Sequence, residues 1–459
     1  MSCRKYPESE EPRKAAGPWA STRTLTKPVY QATQRATPRW VGWLLIALPS
    51  LSILGTWLAG SVPVFPIISL ALFIIAAWDW TRHFDRSRTM LVLLGLSGGL
   101  ILSGTVAALI YRPPVGHLET QSVAMACWIV LALAFVQLYR SQQTVVTVIR
   151  GWMYAVAILT GITIDQMLTE DMPALNGPFP SPAYLAGAMV AGVLLMPLGY
   201  ALEQDRRLRW AYPVIAVAGT WIAWTTHRSV AFGCCLLVLL LWIATYRWIA
   251  AAVIAALAGL AEAFFHSEMP MRFTDVGLEP SLPPSMHSTV MQAGWTILQD
   301  SHFIGVGPGG LEARWPSSLS AYDGPYSALV EVASQYGLAI VVALMCGFAG
   351  VVWWCVKRLW QTQGSPMHSP ERATAFWILV TILILPITTS LQAQWLDFAL
   401  SALAASTLAL LARHIESPRG RALVWSVNEV DLASPGPGAG EESGRPPHHG
   451  GDFERQDRQ

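Results

Sequence analysis

The chain has 459 residues, of which 53% are hydrophobic and only 13% charged, with a formal net charge of +1. Soluble domains carry about a quarter charged residues, so this balance excludes an ordinary soluble fold and points to a polytopic membrane protein. The near-zero net charge offers nothing to a nucleic-acid backbone.

Residues 1–39 are polar and basic, with none of the apolar run of a cleavable signal peptide, and are expected to form a disordered cytoplasmic tail. Crossing a bilayer takes roughly 20 apolar residues, and about twelve segments qualify. They lie near 41–60, 62–79, 90–111, 122–139, 145–164, 183–202, 210–225, 230–246, 248–265, 327–356, 374–391 and 394–412. The eighth and ninth are parted only by Tyr246 and Arg247, and the tenth is long enough to tilt or to begin outside the lipid. Helices 1 to 9 are thus expected over 40–265, a large loop over 266–326, and helices 10 to 12 over 327–412. Residues 413–459 are rich in Gly and Pro and read as a second disordered tail, in which His448 and His449 are solvated and not a metal site. The expected fold class is all-α, a polytopic membrane protein with its largest loop between helices 9 and 10. Cys3 lies in the first tail and Cys127, Cys234, Cys235, Cys346 and Cys355 lie in apolar runs, so no structural disulfide is expected.

Lys and Arg mark cytoplasmic loops. After the basic N-terminal tail, alternate loops carry Arg82, Arg86 and Arg88, then Arg140, then Arg206, Arg207 and Arg209, then Arg247, then Lys357, Arg358 and Arg372. The opposite loops hold only Arg112, Arg228, Arg272 and Arg314. Both tails are therefore expected inside and the 266–326 loop outside. Trp40, Trp43, Trp78, Trp80, Trp210, Trp353 and Trp354 fall near helix ends, as an interfacial aromatic belt does.

Within the large loop, "GVGPGG" places Gly305, Gly307 and Gly310 at G-x-G-x-x-G spacing. That spacing cradles a dinucleotide only between a strand and a helix. No strand pattern precedes it, Pro308 interrupts it, and cytosolic nucleotides are on the other face. Tight turns where the chain returns to the membrane are expected, with no nucleotide, metal or cofactor.

Four segments carry a resemblance. The stretch "RFTDVGLEPSLPPSMHSTVMQAGWTILQDSHFIGVGPGGLEARW" resembles the signature region of the O-antigen ligase and polymerase superfamily. There an amphipathic stretch ends in a D-x-P-x-x-G-x-G turn; here His302 or Phe303 stands near the usual proline. "YSALVEVASQYGLAIVV" is similar to the family's segment leading into the tenth helix. "NGPFPSPAYLAGAMVAGVLLMPLG" looks like its G-x-F-x-x-P-x-x-x-A lead into the sixth helix, and "WTTHRSVAFGCCLLVLLL" like its S-R-x-x lead into the eighth. The segments stand in family order over residues 160 to 350.

The resemblance implies a C-type glycosyltransferase of lipopolysaccharide or related polysaccharide assembly in the bacterial inner membrane. It would move an undecaprenyl-diphosphate-linked glycan to a lipid- or glycan-linked acceptor at the periplasmic face, as ligase or polymerase. The diphosphate needs fixed positive charge, which arginine supplies with a planar bidentate fork. Arg228, in the short turn "TTHRS", is the first candidate, followed by Arg272 and Arg314. Glu331 and Gln335, about one helical turn apart, are expected to orient the acceptor. Two family positions differ. The ligases' histidine before the tenth helix is replaced by Tyr326 and Ser327, and an arginine upstream of the amphipathic stretch by His287. His287 and Tyr326 are therefore the candidate catalytic residues, with His302, a water or a carboxylate such as Glu331 as other choices; His227 is expected to be an interfacial polar group. Trp315 is a possible sugar-stacking residue. Arg150, near a helix end, can snorkel, and both it and Asp397 are expected to be structural. A non-catalytic assembly partner and a solute transporter remain competing classes, although no internal repeat of the kind transporters show is visible.

Overall fold

Long uncharged runs of Leu, Ile, Val and Ala in an apolar setting must satisfy their own backbone groups, which a helix does within one segment. A computed structural model describes residues 39–58, 64–169, 175, 177–179, 182–226, 229–247, 249–257, 284–319, 328–364, 369–391 and 398–416. Among the described residues there are helices and no strands. The first group comprises α1 (Arg39–Leu58), α2 (Val64–Arg82), α3 (Arg88–Tyr111), α4 (Val115–Gln137), α5 (Gln142–Thr169), α6 (Pro182–Leu202), α7 (Arg206–Thr225) and α8 (Ser229–Ala244). A helical run over 249–257 (α9) follows. The second group comprises α10 (Pro284–Asp300), α11 (Gly310–Arg314), a 3-10 turn (Ser317–Leu319), α12 (Ala328–Tyr336), α13 (Leu338–Gln361), α14 (Pro370–Leu391) and α15 (Phe398–Glu416).

Among the described residues, five helical stretches are long and apolar enough to cross a membrane: Phe65–Arg82, Arg88–Tyr111, Gln142–Thr169, Tyr184–Leu202 and Leu338–Gln361. The tenth apolar segment departs from expectation. It is two helices, α12 and α13, parted at Gly337. The last helix also continues past residue 412, to Glu416.

α6 is the centre of the bundle, with 89% of its apolar stretch buried, whereas α3 and α13 bury only 11% of theirs and form the periphery. α6 packs on α5, α7, α8 and α14. Small residues permit the closest approaches. A side chain at Gly151 would put its Cβ 2.7 Å from the Ile46 carbonyl oxygen, and one at Gly219 would put it 2.8 Å from a Val193 methyl.

One end of the bundle is fastened by charge. Arg150 is structural, as expected. Its Nε and Nη2 each donate to the buried Glu203 carboxylate at 2.7 Å, and the Asp205 amide and the Tyr212 hydroxyl donate to the same group. Arg140 pairs with Asp79, and the Arg413 Nε donates to Asp85 at 2.7 Å. Glu416 accepts from the amides of Arg88 and Thr89, placing a negative charge at the positive start of α3. The Tyr139 hydroxyl lies 3.0 Å from His414 Nδ1. These contacts draw the α2–α3 and α4–α5 turns and the tail of α15 to one end.

Two outcomes test this packing. Gly151→Val, which must displace backbone oxygens, is expected to cost about 1–3 kcal/mol, while Gly98→Ala, with nothing within 4 Å of the new methyl, leaves the thermal transition in detergent unchanged or raised. Glu203→Ala strands a guanidinium among apolar helices and is expected to cost about 3–5 kcal/mol; a shift no larger than that of Gly98→Ala would remove the pair from the fold's supports.

Candidate functional site

The pattern of α10 fixes how it lies. Val290, Gly294, Ile297 and Leu298 are buried while Gln292, Thr296 and Gln299 are exposed, a stripe at helical spacing. The buried stripe faces α12, where the Ser334 hydroxyl donates to the Gly294 carbonyl at 3.1 Å. After Asp300 the chain turns back through residues of positive φ. His302 and Phe303 have φ of 53° and 63°, and Gly305, Gly307 and Gly309 have 90°, 83° and 73°. Ile297, Val306 and Leu311 form a small core beneath this turn, with Trp315 packed on it.

The glycine turn is bonded to the break between α12 and α13. The amide of Val306 donates to the Ser334 carbonyl at 2.7 Å, and that of Gly307 to the Gln335 carbonyl at 2.9 Å. In return the Leu338 amide donates to the Phe303 carbonyl at 3.0 Å. In an unbroken helix the Leu338 amide would bond to Ser334 instead. The turn thus takes over the bonds that the break gives up. Space allows nothing but glycine: a Cβ at Gly305 would lie 2.6 Å from both the Gln335 oxygen and the Gly337 nitrogen, and one at Gly307 would lie 2.9 Å from the Ala108 nitrogen on α3. α3 adds a further tie, as the Ser103 hydroxyl donates to the Tyr336 carbonyl.

The amide of Gly305 bonds to the Ser301 hydroxyl and that of Gly310 to the Gly307 carbonyl. With Val306 and Gly307 also engaged, and Pro308 lacking a donor, the turn keeps few amides with which to hold a phosphate.

Around the break stand the polar side chains. Glu331 is partly buried, and its carboxyl is pushed up to about 7, by burial first and then by the negative charge of Glu312 on α11. Glu312 accepts from the Gln121 amide of α4 at 2.9 Å. Burial and the Glu331 charge together push the Tyr336 phenol up to about 12. The Arg314 guanidinium, exposed to solvent, rests over the Tyr111 ring, 4.7 Å from its centre.

Of the residues singled out from sequence, Glu331 and Gln335 share α12, and α11, which carries Arg314, packs on α12. Gln335 is buried and contributes its carbonyl to the clamp. Trp315 is half-buried on the core beneath the turn, with its indole NH bonded to the Leu319 carbonyl at 3.0 Å, so packing accounts for it without a sugar. The backbone of His287 lies in the first turn of α10, but its side chain lies outside the described residues. Arg228, Arg272, Tyr326, His227 and Asp397 also lie outside them. Glu312, Gln121 and Tyr336 were not foreseen. Glu312 and Gln121 are 191 residues apart, and no local pattern announces such a pair.

No protein-family model matches the chain, and comparison with curated proteins finds no match.

Gly305→Ala is expected to lower stability by about 1–3 kcal/mol, as overpacking against backbone does, and to expose the 301–310 turn to limited proteolysis; an unaltered melting temperature would contradict the clamp. Millimolar ATP or NAD is expected to leave the melting temperature of the wild-type protein unchanged, and a rise abolished by Gly307→Val would restore the nucleotide reading.

Proposed function

We propose that the protein is a membrane-embedded glycosyltransferase of cell-envelope polysaccharide assembly. It transfers or polymerises an undecaprenyl-diphosphate-linked glycan at the outer face of the bacterial inner membrane, with both tails in the cytoplasm. About twelve spans and one large periplasmic loop make up its topology. The observation that carries this reading is the junction of two family-like segments. The stretch ending in the glycine turn is bonded through its backbone to the segment leading into α13. A site shared between the two motifs would need such a junction.

The chemistry asks for three things near one another: fixed positive charge for the diphosphate, a polar group for the acceptor hydroxyl, and access to both lipid and water. Arg314 supplies an exposed guanidinium beside α12, and Glu331 with Gln335 supplies the polar group. Arg228 and Arg272 are assigned to the diphosphate on their family-like positions, and His287 and Tyr326 to the acceptor side. α3 and α13, which flank the site, leave most of their apolar surface open to lipid. A non-catalytic assembly partner is the second reading. It is favoured by Tyr326 and His287, which stand where the resembled family has a histidine and an arginine.

Reconstitution tests the two readings directly. Proteoliposomes given an undecaprenyl-diphosphate-linked glycan and an acceptor are expected to form the transferred product; carrier binding without product in every acceptor class would favour the assembly partner. Charged hydrogen bonds are worth about 1.5–3 kcal/mol, so Arg228→Ala is expected to weaken carrier binding about tenfold or more. Arg228→Lys should rescue it only in part. Cysteines placed at positions 272 and 314 are expected to react with a membrane-impermeant thiol reagent in intact cells; reaction only after permeabilisation would invert the topology.

A further inference from the structure

Glycan transfer to a hydroxyl needs a group that takes up the hydroxyl proton. An ordinary surface carboxylate is ionised at neutral pH but is a weak base, and a general base works best when its proton affinity matches the working pH. Three geometric facts single out one carboxylate.

The first is its mounting. Glu331 lies in the first turn of α12, a helix of 9 residues whose other end is held by the glycine turn and by Ser103 of α3. Its position is therefore set by backbone bonds and not by a loop. The second is its isolation. Among the described residues no side chain donates a hydrogen bond to Glu331 or forms an ion pair with it, in contrast to Glu203, Glu312, Asp79 and Asp85, each of which has a donor. A partly buried carboxylate with no protein donor is costly as a purely structural element. The third is its neighbour. α11, which packs on α12, carries Glu312, and the Glu312 oxygen is held by the Gln121 amide of α4. That hydrogen bond fixes where the Glu312 carboxylate lies.

We propose that Glu331 is the general base of the transfer reaction, and that Glu312, held by Gln121, is a positioning residue for it. The inference rests on the glycosyltransferase reading. In the step, the acceptor hydroxyl oxygen bonds to the anomeric carbon and the bond from that carbon to the diphosphate oxygen breaks. The electron pair leaves with the diphosphate, and the hydroxyl proton passes to a carboxylate oxygen of Glu331.

The electrostatics agree with this role. Burial and then the Glu312 charge bring the Glu331 carboxyl to about 7. Of the elements packed on α12, α11 presents Glu312 to this carboxyl and α12 itself presents Tyr336. Among the described residues, α3, α10, α13 and α14 present no further charge that bears on it. Arg314, on α11, faces the Tyr111 ring. The sign follows directly. The base acts only when deprotonated, so transfer rises as pH climbs through about 7. Removing the Glu312 charge lowers the Glu331 proton affinity and moves that rise to lower pH.

Two measurements on the full-length protein in proteoliposomes test the proposal. Dicyclohexylcarbodiimide modifies protonated carboxyl groups in apolar surroundings, and mass spectrometry of the modified peptide reads it without any transfer activity. Glu331 is expected to be labelled at pH 6, with labelling falling by half near pH 7, and the midpoint is expected to move lower in Glu312→Gln and in Gln121→Ala. In the transfer assay, Glu331→Gln is expected to lose roughly a hundredfold or more of the rate while binding the lipid-linked glycan as the wild type does. Glu312→Gln is expected to shift the acid limb of the pH profile downward and, with a weaker base, to lower the plateau rate. If the wild type transfers glycan and Glu331→Gln stays within twofold of it, the base role is overturned and the glycosyltransferase reading stands. A parallel loss of carrier binding in Glu331→Gln, or an acid limb unmoved in Glu312→Gln, overturns it in favour of a structural role. If the wild type forms no product although Glu331 titrates near pH 7, the glycosyltransferase reading fails and takes the base role with it.

Discussion

A helix broken among apolar neighbours leaves backbone carbonyls without partners, and each such group costs about 1–3 kcal/mol when buried. The break at Gly337 would strand the carbonyls of Ser334 and Gln335, and the amide of Leu338. The turn at residues 303–307 answers all three, with amides from Val306 and Gly307 and a carbonyl from Phe303. Much else at this end of the molecule follows from that exchange. Gly305 and Gly307 are glycine because backbone lies within 3 Å of where a Cβ would be. α3 presents Ser103, Gly104 and Ala108 at its contacts because the turn and the Tyr336 ring must come close to it. α10 is amphipathic because it has to lie along α12 to deliver the turn.

The clamp also decides what the short helix α12 can do. Held at its C-terminal end, α12 keeps Glu331 facing Glu312. A continuous tenth helix would need no turn to support it, and the turn would then have no reason to carry two glycines of positive φ, Gly305 and Gly307. The opposite end of the bundle is built on another principle. There Arg150, Arg140 and Arg413 each find a carboxylate, and charge is consumed in joining helices. At the clamped end Arg314 and Glu331 face other groups and leave their charges unneutralised by ion pairs among the described residues. The contrast separates a fastening surface from a surface able to meet a charged ligand.

The apolar helices were legible because each satisfies its backbone alone, so hydropathy and length suffice to find a helix in every such segment. The amphipathic character of α10 was implied only by the family resemblance, and the structure shows it as a buried stripe of Val290, Gly294, Ile297 and Leu298. The broken tenth helix was not legible. Gly337 sits in an otherwise helical run, and only the distant turn makes a break there stable. Arg150 read as a lone interfacial charge because Glu203 lies 53 residues away. Glu331 and Gln335 were found through their i, i+4 relation, but their difference was not: one is partly buried beside Glu312, and the other is buried with its carbonyl in the clamp. Glu312 and Gln121 escaped notice because their pairing is long-range and neither belongs to a motif.

Hydrogen exchange reads the clamp most directly. In the full-length protein in lipid nanodiscs, the amides of Gly305, Val306, Gly307 and Leu338 can be followed in peptides covering 301–310 and 336–345. The clamp predicts exchange as slow as in the interior of α13, and a speed-up at both peptides together in Gly305→Ala. Exchange of the 301–310 peptide at the rate of an open loop, or a change in Gly305→Ala confined to one of the two peptides, would contradict it.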